Sequence, residues 1–336
     1  MIQRLPQSAL DPAGPAAERI AALWDFAFWT AAVVYVVVIA ALLYAAFHRK
    51  RPAAVPVVDR DPRTERRLLV AVSGATAATV VILLVFFVVD LGVTGAVANP
   101  AAMHEHSTVS RARHEAPAGA LRVKVTGYQW WWKIEYLDSV PSRRVTTANE
   151  LVVPVGRPVA IDFESGDVIH SFWVPALHGK RDLVPGRTTR LTIEAARPGV
   201  YRGECAEFCG HQHAKMALHV VAQPADEFAV WYEAQLAPAS VPADSLRRAG
   251  MHVFLGKPCA MCHNIAGLPA SGQVAPDLTH LASRRTIAAG ILPNTKGHLA
   301  GWILDPQRIK PGAKMPPNGL SPDELEAILA FLGGLR

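Results

Sequence analysis

The stretch Cys205-Ala206-Glu207-Phe208-Cys209-Gly210-His211-Gln212-His213-Ala214-Lys215-Met216 sets two thiols, an imidazole and a thioether at the spacing C-x3-C-x3-H-x2-M. Sulfur and imidazole donors gathered on one short loop make a cradle for a soft metal, and thiolate with thioether favours copper. Structural zinc is the plainer alternative. Zinc cysteines are commonly two to four residues apart, so the x3 gap does not exclude it, but Met216 argues against it. A mononuclear blue-copper site takes one Cys with two His, and this loop has one Cys too many. Two thiolates on either side of a tight loop can instead bridge a pair of copper ions, each completed by one His and one weaker ligand. His170, in Gly166-Asp167-Val168-Ile169-His170-Ser171-Phe172-Trp173, is the best second imidazole, because it lies in a polar break between strand-like runs upstream.

Working outward, the chain around this loop reads as β-structure. Leu121-Arg122-Val123-Lys124-Val125-Thr126 alternates apolar and polar residues with period two, as a half-buried strand does. Similar runs occur at 151–155, 158–163, 188–193 and 216–222. Short strands separated by Pro/Gly turns, with no long helix, predict an all-β Greek-key sandwich. Within it Tyr128-Gln129-Trp130-Trp131-Trp132 is an aromatic cluster, and aromatics at strand spacing mostly pack into a core.

A second motif lies further on. Cys259-Ala260-Met261-Cys262-His263 is the C-x-x-C-H pattern of covalent haem attachment, in which two thiols add across the vinyl groups and the adjacent His ligates the iron. A redox dithiol is the other reading of C-x-x-C; the immediate His and the absence of a βαβ pattern favour haem. A Met/His axial pair is usual in cytochromes c. Met315, in Pro311-Gly312-Ala313-Lys314-Met315-Pro316-Pro317, supplies the Met, since Met251 and Met261 lie too close to the attachment site to reach the opposite face. The two motifs use all four cysteines of the chain. Disulfides within either pair would close loops too small to constrain much of the unfolded chain.

The N-terminal third contains two apolar stretches almost free of charge, 24–47, with Asp25 at its start, and 68–89. Each exceeds the length needed to cross a hydrocarbon core of about 30 Å at about 1.5 Å per residue. They are apolar all round, which suits lipid better than a buried hairpin of a soluble protein. The loop 48–67 between them carries seven Lys/Arg against three Asp/Glu, and the positive-inside rule places it in the cytoplasm with both chain ends outside. No signal peptide is evident in 1–18, which lacks an apolar core.

The net charge of +6 is not a nucleic-acid signature. The excess falls on the cytoplasmic loop and the haem segment, and no basic face with interleaved aromatics remains to track phosphates. Residues 99–120 read as a polar linker, with His104, His106 and His114 as solvated residues rather than a metal site. The Pro/Ala-rich stretch 237–243 reads as a semi-rigid tether that keeps two redox domains at high effective concentration. A terminal helix is marked by Ser321 as N-cap, Pro322 at N1, Glu324 closing a capping box, and Leu325, Ile328, Leu329 and Leu332 on one face. It is expected to pack on a helix around 246–255. The predicted organisation is thus an N-terminal segment with a two-helix hairpin (1–98), a linker (99–120), a β-sandwich (121–236), a second linker (237–243) and a small all-α haem domain (244–336).

The loop from Cys205 to Met216, with Asp167-Val168-Ile169-His170-Ser171-Phe172 and Val184-Pro185-Gly186-Arg187, closely resembles the dinuclear copper A domain of cytochrome c oxidase subunit II; residues from about 244 onward resemble a class I cytochrome c. The resemblance implies a cupredoxin fold, Cys205 and Cys209 as bridging thiolates, His170 and His213 as imidazole ligands, and Met216 and the Glu207 carbonyl as weak axial ligands. In that family the carboxylate at the Glu207 position also reaches a magnesium ion shared with subunit I. Tyr128-Gln129-Trp130-Trp131-Trp132 is similar to the family motif whose first Trp, here Trp130, accepts electrons for the copper pair. Glu65 resembles a carboxylate near a proton-channel mouth.

By that likeness the chain is expected to be a subunit of a haem-copper terminal oxidase in the cell membrane, receiving electrons from a cytochrome c or a cytochrome bc complex. O2 reduction coupled to proton translocation would occur in subunit I, with subunit III and lipid as further neighbours. Neither apolar span has an interior His, so the oxygen-reducing centre lies in another chain. A quinol oxidase subunit II lacks the copper ligands present here; the electron-delivery subunit of a nitric oxide reductase and a free-standing membrane-anchored carrier are the alternatives.

Overall fold

The structure, a computed structural model, describes residues 7–48, 62–98 and 116–336. Most of the expected cytoplasmic loop, and His104, His106 and His114 of the first linker, lie outside the described residues. The chain separates into two compact units, one of residues 19–106 and the other of residues 1–18 with 107–336.

In the first unit, α1 (Pro15–Phe47) and α2 (Pro62–Ala98) each begin on a proline, whose missing N–H costs nothing at a helix start. Both are long and apolar enough to cross a membrane. Both begin before the apolar stretches 24–47 and 68–89 because the preceding Ala, Glu and Arg residues are themselves good helix formers, and α2 also runs on past 89 to Ala98. Phe26 of α1 and Phe86 of α2 meet with ring centroids 4.7 Å apart.

The second unit begins its regular structure with a sandwich of two five-stranded sheets. The strands are β1 (Leu121–Tyr128), β2 (Trp131–Tyr136), β3 (Val145–Ala148), β4 (Glu150–Pro154), β5 (Val159–Ser165), β6 (His170–Trp173), β7 (Arg181–Leu183), β8 (Thr189–Ile193), β9 (Gly199–Cys205) and β10 (Ala217–Gln223). One sheet runs β3-β2-β1-β5-β8 and the other β4-β10-β9-β6-β7. The parallel pairs β1/β5, with Val123 opposite Ile161, and β4/β10, with Leu151 opposite Val220, require the chain to cross over between partners. Period-two patterning gives the core: Val123 and Val125 of β1, and Trp132, Ile134 and Tyr136 of β2, are fully buried. The Tyr136 hydroxyl donates to the Val152 carbonyl and accepts from the Val152 amide, both at 2.8 Å, and ties the two sheets together.

Two additions to the sandwich escape a reading of strand patterns. Helix α3 (Ala225–Gln235) follows β10 and buries Phe228 and Tyr232 against the sandwich, with the Tyr232 hydroxyl donating to the Arg143 carbonyl at 2.8 Å. The segment before α1 also docks: Ala13 sits in the sandwich core, its amide donating to the Ala176 carbonyl and its carbonyl accepting from the Ala196 amide. Gly14 permits this approach, since a Cβ there would stand 2.2 Å from the Glu194 carbonyl oxygen.

The C-terminal part is helical: α4 (Ser245–Gly256), α5 (Cys259–Cys262), α6 (Lys296–Leu304), α7 (Pro306–Ile309) and α8 (Pro322–Leu332). The expected capping box opens α8, with the Ser321 hydroxyl accepting from the Glu324 amide and the Glu324 carboxylate from the Ser321 amide. Helices α4 and α8 cross at Gly250, whose hydrogen faces the Ala327 carbonyl so closely that a Cβ would lie 1.9 Å from it. Phe254, Ile328 and Phe331 fill the core around this crossing. The second linker is not a free spacer: the Ala239 amide donates to the Ala266 carbonyl at 2.8 Å and Ala239 packs on the helical core. Gly267, at φ +88, leaves room for that contact.

Candidate metal and haem sites

Strands β6 and β9 run antiparallel with Phe172 opposite Cys205, which brings His170 at the head of β6 alongside the thiol that ends β9. The loop then doubles back, so that the Cys205 amide donates to the Met216 carbonyl at 2.9 Å. The sequence-predicted residues converge. Cys205 Sγ lies 3.7 Å from Cys209 Sγ and 3.9 Å from His170 Nδ1. Cys209 Sγ lies 3.6 Å from His213 Nδ1 and 3.8 Å from Met216 Sδ. The Glu207 carbonyl oxygen is 3.2 Å from Cys205 Sγ, whereas its carboxylate turns to Lys180 Nζ at 3.4 Å. Cys205, Cys209, His170 and Met216 are buried, and both cysteines are free.

Two close thiols cannot both ionise at ordinary cost. The hydrogen bond between the two sulfurs brings the Cys205 pKa down to about 4, against the opposing effect of burial, while that same contact and burial push Cys209 up. Burial disfavours the charged form of His170, but its contacts with Cys205 and Asp167 outweigh this and raise its pKa. Nε2 of His170 faces Asp167 Oδ1 at 2.8 Å, which orients the ring and turns Nδ1 toward the sulfur. This set of two thiols, two imidazoles, a thioether and a carbonyl, half-buried at His213 and Glu207 and buried elsewhere, fits a pair of copper ions by its donor chemistry.

The C-x-x-C-H motif forms α5 and the residue after it. An apolar cavity of about 240 Å³ opens beside it, lined by Cys259, Cys262, His263, Met315, Phe254 and Trp302 among others. His263 Nδ1 donates to the Pro276 carbonyl at 2.7 Å, which leaves Nε2 as the ligating nitrogen. Burial lowers the His263 pKa, so the ring is held in the neutral form that binds iron. The Met315 loop is pinned by Gln307, whose amide nitrogen donates to the Met315 and Ala313 carbonyls at 2.8 Å. Apolar walls, two thiols on one turn and His and Met on a shared cavity fit a covalent haem.

The sandwich supplies part of that cavity wall, through Gln129, Trp130 and Trp131. Trp130 Nε1 donates to the Cys209 carbonyl at 2.9 Å, so one indole touches the thiol loop and the cavity. Sequence reasoning passed over three residues here. Asp167 orients His170; Gln129 donates through Nε2 to the Cys209 carbonyl at 2.8 Å; and Gly127 faces the His170 ring, where a Cβ would stand 2.9 Å from Cδ2. The signal for Asp167 was its position three residues before His170.

Fold and site define a redox chain of two apolar helices, a cupredoxin-like sandwich and a C-terminal helical domain of cytochrome c type. Residues 121–223 match the family "Cytochrome C oxidase subunit II, periplasmic domain", and residues 248–336 match "Cytochrome c". Two segments of the chain are thus similar to a subunit II periplasmic domain and to cytochrome c, and these families imply copper A and haem. It is 39% identical over 216 residues to "Cytochrome c oxidase subunit 2" of Alkalihalophilus pseudofirmus, covering 64% of this chain and 61% of that protein. It is 33% identical over 227 residues to the protein of the same name from Bacillus subtilis, covering 65% of this chain and 63% of that one. The chain thus spans less than two thirds of the length of these relatives. Among solved structures, the periplasmic domain of subunit II of cytochrome oxidase of Bradyrhizobium japonicum is 32% identical, with a TM-score of 0.34, covering 36% of this chain and 96% of that one.

Proposed function

We propose that this chain is the electron-accepting subunit of a haem-copper terminal oxidase. When bound, haem c and the dinuclear copper supply one-electron oxidation and reduction, and a separate subunit I reduces O2 to water with proton translocation. The observation that carries this reading is Trp130, hydrogen-bonded to the Cys209 carbonyl on one side and forming a wall of the haem cavity on the other.

Each residue then has a task. Cys205, Cys209, His170 and His213 would hold the copper pair, with Met216 and the Glu207 carbonyl as weaker donors. Asp167 fixes the His170 tautomer, and burial of His170, Cys205, Cys209 and Met216 excludes water and lowers the reorganisation that accompanies electron transfer. Cys259 and Cys262 would hold the haem covalently, and His263 and Met315 would bind its iron. The Glu207 carboxylate, turned away from the thiols, is the group for a magnesium ion shared with subunit I. The copper domain is assigned to 121–236 and the haem domain to 244–336, both on the outer face of the cell membrane in keeping with the basic loop 48–67. A cytochrome c or cytochrome bc complex is the outside donor. Glu65, in the first turn of α2, is assigned to the proton path.

Metal analysis and electron paramagnetic resonance of the oxidised, detergent-solubilised full chain test this. Two coppers per haem, with hyperfine structure of one unpaired electron shared equally between both, is the expected result. One copper with an ordinary four-line pattern, or zinc, refutes the bridging assignment.

A further inference from the structure

The haem-ligand loop and the copper-ligand loop hold one another. Three consecutive residues leading into the Met315 loop each bond to the sandwich. The Ile309 carbonyl accepts from Lys215 Nζ at 2.5 Å, Lys310 Nζ donates to the Trp130 carbonyl at 2.7 Å, and the Pro311 carbonyl accepts from Gln212 Nε2 at 2.7 Å. The partners on the sandwich are residues of the metal loop itself, Gln212 and Lys215, and the indole residue that shares the haem cavity. Lys310 Nζ also donates to the Ala288 carbonyl at 3.3 Å. Lys310 is 3% exposed, so removing its amine takes a donor from the buried Trp130 carbonyl and from the half-buried Ala288 carbonyl.

We propose that Lys310 is a positioning residue that clasps the haem-ligand loop to the copper-ligand loop and sets Trp130 between the two centres. The inference rests on the reading of both sites given above. A surface tether could keep the domains near one another without any bond between their ligand loops. Here the donor sits at the middle of the junction, and the bonds on either side of it come from residues flanking His213. The ring of Trp130 packs within 3.6 Å of the position a Cβ would take on Gly312, which closes the gap between the clasp and the Met315 loop. Burial pulls the Lys310 pKa down to about 7. A neutral amine and an ammonium both donate to carbonyls, so the clasp does not depend on that ionisation.

The test uses the full chain loaded with haem and copper. Lys310→Met keeps the length of the stem and removes the donor; Lys310→Arg keeps a donor. After photoreduction of the haem, Lys310→Met should pass its electron to copper about tenfold or more slowly, since small misplacements of reacting groups carry large rate penalties. The methionine–iron charge-transfer absorption and the copper hyperfine pattern should stay those of the parent, and Lys310→Arg should recover most of the rate. A parent-like rate in Lys310→Met overturns the proposal. Loss of the absorption or of the hyperfine pattern does so too, because Lys310 would then support one centre rather than join two. If Lys310→Met does not accumulate, Gln212→Ala carries the same expectation and the same refutation. A parent chain lacking the shared-electron pattern overturns the copper reading itself, which separates the two failures.

Discussion

Replacing Gly127 with alanine tests the copper site from behind. Gly127 lies on β1 between its antiparallel partner Trp132 and its parallel partner Ser165, and its carbonyl accepts from the Gly166 amide, so its backbone is held on both sides. The new Cβ would stand 2.9 Å from Cδ2, 3.0 Å from Cγ and 3.2 Å from Cβ of His170, where ordinary contact begins at 3.4 Å. The imidazole must therefore retreat by about 0.5 Å, yet it is fully buried and bonded to Asp167. Overpacking of this kind costs about 1–3 kcal/mol. If the strain is relieved by turning Nδ1 away from the thiols, it appears as lost copper affinity of about five- to 150-fold. Copper affinity measured against a competing chelator, with paramagnetic resonance of the loaded chain and thermal unfolding of the copper-free chain, reads both places where the strain could go. An affinity within about twofold of the parent with unchanged hyperfine structure, alongside a destabilised copper-free chain, would show that His170 is a packing residue.

Three further outcomes are expected. Gly250→Ala forces a Cβ to within 1.9 Å of the Ala327 carbonyl, so α4 and α8 must part by about 1.5 Å; the haem domain should lose about 1–3 kcal/mol in denaturant unfolding followed at the haem band, with the copper signal unchanged. His219, buried with Arg202 and Arg285 nearby, has its pKa lowered from 6.5 to about 4, primarily by burial. The unfolded chain therefore takes up a proton first, and stability present above pH 6.5 is lost as the pH falls toward 4; His219→Gln should flatten the thermal midpoint across that window, and an unchanged slope would contradict this. Trp130→Phe removes the bond to the Cys209 carbonyl, and flash-induced electron transfer between the centres should slow while both spectra persist; an unaltered rate would exclude the indole from the path.

Much of this arrangement could be read from the residues alone, because the strongest signals were local. C-x3-C-x3-H-x2-M and C-x-x-C-H each place their donors within one loop or turn, and the structure brings the first set together with His170 through a single strand pairing. The strands Val123 and Val125 announce by period two, and the capping box at Ser321 and Glu324, are also short-range. What could not be read depends on contacts far apart in sequence. Helix α3 has a weakly amphipathic pattern that only the sandwich edge explains, and Phe228 and Tyr232 look like surface aromatics until that edge is known. Lys310 reads as one more charge in a basic segment, and only the fold places it 180 residues away against Trp130. The stretch 237–243 has the composition of a spacer, yet its backbone bonds to Ala266, because composition records what a segment tolerates and not what lies beside it.

The contact of Ala13 with Ala176 and Ala196 also constrains how the chain threads the bilayer. Two residues can share backbone hydrogen bonds only if they occupy the same aqueous compartment. Whatever lies between 13 and 176 must then traverse the membrane an even number of times, a parity condition independent of any count of basic residues. It also means that the sandwich cannot be completed until Ala13 meets residues synthesised more than 150 positions later. A variant that reversed the orientation of α1 alone would strand Ala13 on the wrong face and leave the Ala176 carbonyl and the Ala196 amide unpaired, so membrane topology is checked by the fold it permits.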